Sequence, residues 1–214
     1  MNVASSPGMA AIGGVLLAAL LAVPWRPAGA DMIDESSLEP WEGCALCHSL
    51  DGVSQMPKFP KLAGQEAAYI VKQLGDFRAG HRDNDGDQMQ AMAGVLAPEA
   101  VEAVAQYFAQ LPPPPPGPGA EGAAAAAAQL LIAAGDPTRA VPACLSCHAA
   151  DRVAVSRAPR LEAQHAVYLE KQLMDFKDGR RRNDAGGAMR KVAAALTAEE
   201  IEELAAYLGG LERK

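Results

Sequence analysis

Two short segments of the chain carry the same set of reactive side chains. Residues 44–48 read Cys-Ala-Leu-Cys-His, and residues 144–148 read Cys-Leu-Ser-Cys-His. Two cysteines three apart, followed at once by histidine, form the signature for attachment of c-type haem. The thiols bond to the two vinyl groups, and the adjacent imidazole is placed to reach the iron from the same side. We therefore expect two covalently bound haem c groups, held by Cys44, Cys47, His48, Cys144, Cys147 and His148.

Zinc binding is the main competing interpretation of these motifs. A closed zinc site needs four nitrogen or sulfur ligands, and each motif supplies one fewer. The other two histidines, His81 and His165, stand at unrelated places and are expected to be surface residues. A thioredoxin-like dithiol would need strands around it, which the sequence does not predict.

The second half of the sequence repeats the first over some seventy residues. Residues 60–62 return as 159–161, and residues 69–74 return as 168–173. The halves are separated by five consecutive prolines, which favour an extended, semi-rigid spacer. We predict a first domain over residues 31–111, a Pro/Gly linker over 112–119 and a second domain over 120–214.

The apolar residues recur at helical spacing, so each domain is expected to be all-α. Residues 66–79 and 98–110 are predicted helices, and each has a counterpart in the second half. Thr197 is a candidate N-cap. An Ala-rich helix over 120–134 leads the second domain, whereas the first has only residues 31–43, interrupted by Pro40, so its leading helix is short or missing.

The repeat also selects candidates for the second ligand of each iron. Met89 and Met189 both lie 41 residues after their motif histidines, each beyond a matched Arg-x-Asn-Asp segment. A methionine there would complete a His/Met pair that sets the redox potential. The other methionines considered lack this recurrence and are expected to be packing residues: Met56, Met92 and Met174.

Recurring residues near the motifs suggest supporting roles. The carbonyl groups of Pro60 and Pro159 are placed to accept the N–H of the motif imidazoles, which would orient the rings and raise their basicity. Four further residues recur: Tyr69, Tyr168, Arg82 and Arg181. They either contact the haem propionates, or the tyrosines are packed core rings with surface hydroxyls and the arginines are solvated loop charges.

Composition and the amino terminus indicate an exported protein that does not bind nucleic acid. The 214 residues are 50% hydrophobic with a net charge of −7 and 5% aromatic residues, which argues against nucleic-acid binding. An apolar run over residues 9–23 precedes Ala28 and Ala30, so residues 1–30 are predicted to be a signal peptide cut before Asp31. An uncleaved membrane anchor is the alternative, and the periplasm is the expected location.

Charge is distributed unevenly between the two halves. Residues 31–111 hold 13 acidic and 5 basic residues, a net of −8, whereas residues 120–214 hold 13 of each. We expect the first domain to face a basic partner surface. The cluster of Arg180, Arg181 and Arg182 is expected either to face an acidic partner or to be a solvated turn.

These residues together resemble the dihaem class I cytochromes of the cytochrome c4 family. The similar positions are residues 44–48, 59–65, 72–74, Tyr69 and Met89, and the resemblance covers nearly the whole mature chain. It implies two tandem cytochrome c folds, each with one haem in His/Met coordination, in a periplasmic carrier without catalytic residues. In the second half, residues 158–164 lack the aromatic residue and the glycine of the first.

Two functions remain open, and a third is disfavoured. The first is a mobile carrier that passes electrons between respiratory partners, for example to a terminal oxidase. The second is the electron-accepting subunit of a dehydrogenase complex, such as a flavoprotein sulfide dehydrogenase. A dihaem peroxidase would need an open iron, which Met89 and Met189 argue against. The expected partners are redox proteins (an oxidase, a cytochrome bc1-type complex or a dehydrogenase), and peripheral membrane association is left open.

Overall fold

The structure, a computed structural model, describes residues 1–2, 38–151, 153 and 157–213. The predicted signal sequence beyond residue 2 and its cleavage site lie outside these residues. The chain divides into two compact units, Met1–Ser37 and Leu38–Lys214, and the second contains both haem-attachment motifs. Among the described residues, no helix combines the length and the apolar character needed to cross a membrane.

The described residues of both halves are helical, as the sequence predicts. The first half contains α1 (Glu42–His48), α2 (Ala67–Arg78), α3 (Gln88–Val95) and α4 (Val101–Gln110), with a 3-10 turn at Pro98–Ala100. The second half contains α5 (Gly122–Ala134), α6 (Leu145–His148), α7 (Ala166–Lys177), α8 (Ala188–Ala195) and α9 (Ala198–Gly209). Two more 3-10 turns lie at Pro137–Arg139 and Ala185–Gly187.

Local sequence signals explain where several helices begin and end. On α2 the buried side chains Ile70, Leu74 and Phe77 share one face at helical spacing. Gly80, with φ of 69°, follows the end of this helix in the left-handed conformation that glycine adopts without strain. Thr197 caps α9, and its hydroxyl and the Glu200 carboxylate form a reciprocal capping box, which confirms the predicted N-cap.

Each half has its own hydrophobic cluster. In the first half, α2 packs on α3 and α4 around Phe77, Val104 and Phe108. In the second, α9 packs on α7 and α5 around Ile201 and Leu204. Residues 112–121 form no helix. The separate clusters are compatible with the predicted domain boundaries and linker, which stay predictions.

The glycine missing from the second half is replaced without a change of backbone conformation. Gly64 has φ of 63°, and its counterpart Ala163 has φ of 57°. Ala163 is fully buried. The left-handed turn four residues after Pro60 and Pro159 is therefore present in both halves, although in the second half it carries the strain of a Cβ atom.

Candidate haem sites

The two motif histidines are oriented by the carbonyl groups predicted from the sequence. The Nδ1–H of His48 donates to Pro60 O at 2.9 Å, and that of His148 donates to Pro159 O at 2.8 Å. Because a carbonyl can only accept, Nδ1 must carry the proton and Nε2 keeps its lone pair. Both rings are buried, and burial lowers the pKa of each imidazole, which keeps the ring neutral.

One imidazole atom is buried without any hydrogen-bond partner. His48 Nε2 is enclosed and unpaired among the described residues. An unpaired nitrogen in an apolar setting is costly unless it has another partner, such as a metal ion. The Phe59 ring stands edge-on to this imidazole, with 6.0 Å between the ring centroids.

The cysteines lie beside these histidines on short helices. Cys44 and His48 are four residues apart on α1, so they share a face of the helix. Burial raises the pKa of the Cys44 and Cys144 thiols, which keeps them protonated until they react. The arrangement presents thiols and an imidazole lone pair together, as attachment of haem c requires.

The methionine candidates stand near the starts of matching helices that buried carboxylates hold in place. Asp85 Oδ2 accepts the backbone N–H of Met89 at 2.7 Å, and Met89 packs against the first hydrophobic cluster. In the second half, Asp184 Oδ2 accepts the N–H of Arg190, the residue after Met189, at 3.0 Å. The assignment of both methionines as iron ligands stays a prediction.

The remaining methionines follow the sequence prediction only in part. Met174 packs against the second hydrophobic cluster, as expected. Met56 and Met92 are 49% and 42% exposed, so their assignment as packing residues is wrong. Both lie in the first half, outside the apolar stripes that periodicity reveals.

Paired glutamines join the two halves with near-symmetric hydrogen bonds. Gln65 accepts the N–H of Arg160 at 2.8 Å and donates to its carbonyl at 3.1 Å. Gln164, the counterpart of Gln65, makes the same two bonds to Lys61, at 2.8 and 2.9 Å. Sequence reasoning missed these residues, although their recurrence at the same shift as the neighbouring motif residues was the available signal.

Two buried arginines form the centre of the contact between the halves. Arg82 donates to Gln73 Oε1 at 2.7 Å in its own half, and to Tyr168 Oη at 3.0 Å and Gln172 Oε1 at 2.9 Å in the other. The interpretation of this residue as a solvated loop charge is wrong, because it is only 5% exposed.

Arg181 repeats these bonds in the opposite direction. It donates to Gln172 Oε1 at 2.9 Å, and across the contact to Tyr69 Oη and Gln73 Oε1, both at 3.1 Å. Burial alone would raise the pKa of the Tyr69 hydroxyl, but the facing arginines lower it below its ordinary value. The tyrosine hydroxyls are therefore not at the surface but join one half to the other.

The expected arginine surface of the second half keeps two of its three residues. Arg181 is buried, and Arg180 pairs with Asp175 at 2.8 Å and with Asp178 at 3.0 Å. Arg180, whose side chain is 61% exposed, and Arg182 remain at the surface. The expectation that Arg181 belongs to an exposed cluster is therefore wrong, whereas the acidic partner for Arg180 and Arg182 stays a prediction.

His165 also contributes to the contact between the halves, contrary to the expectation of a surface residue. Its Nε2 lies 2.9 Å from Ser54 Oγ and 2.9 Å from Ser54 O. Burial lowers the pKa of this imidazole, while the hydrogen bond to the Ser54 carbonyl raises it and the nearby Lys61 lowers it. His81, in contrast, is exposed as predicted.

The sequence is similar to proteins whose identity is known. A family profile described as cytochrome c matches residues 124–212. Cytochrome c4 of Stutzerimonas stutzeri is 39% identical over 178 residues, which are 78% of this chain and 84% of that protein. The chain belongs to the cytochrome c4 family.

A solved structure and a further relative agree with membership of the cytochrome c4 family. The crystal structure of reduced recombinant cytochrome c4 from Pseudomonas stutzeri matches with a TM-score of 0.71 at 37% identity, covering 80% of this chain and 95% of that one. A thiosulfate dehydrogenase electron acceptor from Stutzerimonas stutzeri strain A1501 is 35% identical over 174 residues, 80% of each chain. The predicted fold class, two tandem class I cytochrome c domains, is confirmed.

Membership of the cytochrome c4 family fixes the general chemistry. The protein is an electron-transfer protein rather than an enzyme, its cofactor is covalently bound haem c, and its partners are redox proteins. The residues present fit that cofactor, because the motif on α1 combines two cysteines with a buried imidazole nitrogen that has no other partner among the described residues.

Proposed function

We propose that the protein accepts electrons from one redox partner in the periplasm and delivers them to another, with a terminal oxidase as the final acceptor. The observation that carries this proposal is the anchored imidazole of His48, which is fixed at Nδ1 and unpaired at Nε2. Bound haem c supplies an iron that accepts and releases one electron. Fixing the imidazole limits how far the ligand must move when the charge changes, which favours fast transfer.

The ligand sets of the proposal follow the repeat. Cys44, Cys47, His48 and Met89 hold one haem, and Cys144, Cys147, His148 and Met189 hold the other. The carbonyls of Pro60 and Pro159 raise the basicity of the two imidazoles. With one histidine and one methionine bound to each iron, no position would remain for a substrate.

The contact between the halves supports a relay of electrons from one haem to the other. Arg82 and Arg181 are buried, yet the hydrogen-bond partners of each guanidinium are neutral amide or hydroxyl oxygens. A buried cation is costly without a negative partner. We propose that the propionates of the two haems provide that charge, which would draw both redox groups toward the same contact.

A second candidate partner is a dehydrogenase that delivers electrons to this protein. The support is the similarity to a relative named as a thiosulfate dehydrogenase electron acceptor. That name favours thiosulfate oxidation over the sulfide oxidation considered from the sequence as the source of electrons.

One experiment separates the two partners. The oxidised holoprotein is mixed with purified thiosulfate dehydrogenase and thiosulfate, and the reduced holoprotein with membranes that contain terminal oxidases. Rapid oxidation by the membranes is expected for the carrier, and rapid reduction by the dehydrogenase for the second candidate. Reaction with neither would contradict both assignments.

N-terminal sequencing tests the location, since a periplasmic form cut after the signal peptide begins at Asp31.

A further inference from the structure

The outer surface of α1 carries large apolar side chains that the fold leaves exposed. Leu46 is 84% exposed and Leu50 is 53% exposed. Together with Ala45 and Glu42 they line a shallow groove of about 370 Å³. Large apolar side chains grouped in this way on a soluble protein mark an interaction site.

Leu46 lies on the side of α1 opposite Cys44 and His48, which would hold the haem. Leu46 is two residues from Cys44 and two from His48, which places it about 160° around the helix axis from both. The groove therefore lies behind the attachment face. Leu46 also directly precedes Cys47, so an occupant of the groove lies one residue from a thiol that attaches the redox group.

Aromatic side chains hold the groove in a fixed shape. Tyr107 Oη donates to the carbonyl of Leu50 at 2.8 Å. The Trp41 ring stacks on Tyr107 with 4.5 Å between centroids and an interplanar angle of 5°. A groove with fixed walls loses little entropy when it binds a partner.

The second half repeats this surface only in part. The positions that match Leu46 and Leu50 are occupied by Ser146 and Ala150, while Ala45 is matched by Leu145, which is 40% exposed. Among the described residues, two exposed leucines therefore lie together beside the first motif and a single one beside the second.

The charge around the groove identifies the kind of partner. Glu42 lines the groove, and Asp51 is exposed directly after Leu50. Of the five basic residues in the first half, Lys61 and Arg82 are buried and Lys72 pairs with Asp76. The other two, Lys58 and Arg78, are exposed but are outnumbered by exposed carboxylates. The surface of this half is strongly acidic, with exposed carboxylates at Glu39, Asp51, Asp83, Asp87, Glu99 and Glu102.

We propose that this groove is the docking site for a redox protein whose contact face presents an apolar side chain surrounded by lysines or arginines. The proposal rests on the electron-carrier function and adds which half docks and what chemistry the partner offers. The acidic surface steers the basic partner, and Leu46 with Leu50 supplies the apolar contact at the centre. A second copy of this chain is disfavoured, since two acidic faces repel.

The test measures electron transfer from the reduced holoprotein to a lysine-rich mitochondrial cytochrome c at low ionic strength. Leu46→Ser combined with Leu50→Ala, which installs the matching side chains of the second half, should lower the bimolecular rate constant about tenfold. Leu130→Ser is the control, because Leu130 is 65% exposed on α5 and should leave the rate within about twofold. Glu42→Gln should reduce the rate about twofold and weaken its salt dependence, whereas Glu121→Gln should change neither.

Two further measurements keep docking separate from the electron-carrier function. Reduction of ferricyanide, a small anion that does not need the groove, should proceed equally in the wild type and in the uncharged leucine variants, and slightly faster in Glu42→Gln because the anion is repelled less. If the wild type fails to reduce ferricyanide, the electron-carrier function is wrong. If the wild type does so but the groove variants match its rate with the basic cytochrome, the docking site is wrong. A wild-type dimer in sedimentation analysis that Leu46→Ser converts to monomer would also overturn the proposal, because the occupant would be a second copy.

Discussion

The two halves support the same cysteine–histidine motif with different structures. In the second half, α5 packs on α9, and its Leu131 carbonyl lies 3.8 Å from Cys144 Sγ. In the first half, the described residues before α1 form no helix, and the Pro40 carbonyl lies 3.9 Å from Cys44 Sγ. In both halves the first thiol faces a backbone carbonyl. The covering element is a helix in the second half, and in the first half it is the segment that carries Trp41, which stacks on Tyr107.

Replacement of the proposed methionine ligands should have the largest effect, which is on the redox potentials of the two haems. Met189→Ala should lower the potential of one haem by on the order of a few hundred millivolts, because thioether ligation favours Fe(II) and axial ligands span about 0.8 V. Met89→Ala should do the same to the other haem. Potentiometric titration checks both. The control is Met92→Ala, which should change neither potential. Loss of the methionine–iron absorption band in Met92→Ala, but not in Met89→Ala, would contradict the assignment of Met89 as the ligand.

Removal of the aromatic cover should destabilise only the first half. Trp41 stacks on Tyr107 and packs against the first hydrophobic cluster. Trp41→Ala should lower the free energy of unfolding of that half by about 3 kcal/mol. Leu131→Ala, which removes cover from α5, should cost a similar amount in the second half. Guanidinium denaturation followed at the absorbance of each haem measures both, and an unchanged first half in Trp41→Ala would show that the stack is not its cover.

The arginine network should couple the two halves instead of stabilising either alone. Arg82→Gln removes a donor from Tyr168 and Gln172, at a cost of about 2 kcal/mol. Arg181→Gln should cost a similar amount. Because both arginines bond to Gln73 and Gln172, the double variant should cost less than the sum of the single variants. A double-mutant cycle of unfolding free energies measures this coupling, and strict additivity would mean that the two arginines act independently.

The smallest expected effect is a pH dependence at the His165 contact. Burial places the pKa of the folded imidazole below its ordinary value near 6.5. At pH values between the pKa of the folded imidazole and the ordinary value, the unfolded chain binds more protons than the folded chain. The free energy of unfolding should therefore fall as the pH is lowered through that window. His165→Gln should flatten the stability profile there, as seen by denaturation across the pH range. His81→Gln should leave the profile unchanged, and an identical change in both variants would remove His165 as the cause.

The features that could be predicted from sequence are local or repeated. The attachment motifs, the helix over Ala67–Arg78 and the Thr197 cap each depend on residues close together in the chain. The carbonyl bonds to Pro60 and Pro159 were predictable because a proline recurs 12 and 11 residues after the two motif histidines.

The contact between the halves could not be predicted in the same way. A repeat shows that Gln73 and Gln172 are equivalent, but not that each bonds to the arginine of the other half. Arg180, Arg181 and Arg182 are consecutive basic residues, and only the tertiary structure shows that the middle one is buried. The burial of a charge depends on groups that arrive from distant parts of the chain.

The central claim is that both halves hold the same His/Met haem site and differ only in its surroundings. A redox titration of the purified holoprotein, followed by visible and near-infrared spectra, tests this most directly. The account predicts two haems per chain, two one-electron steps, and a methionine–iron band of the oxidised protein with the intensity of two sites. A band with the intensity of one site, or rapid binding of carbon monoxide by the reduced protein at neutral pH, would contradict it.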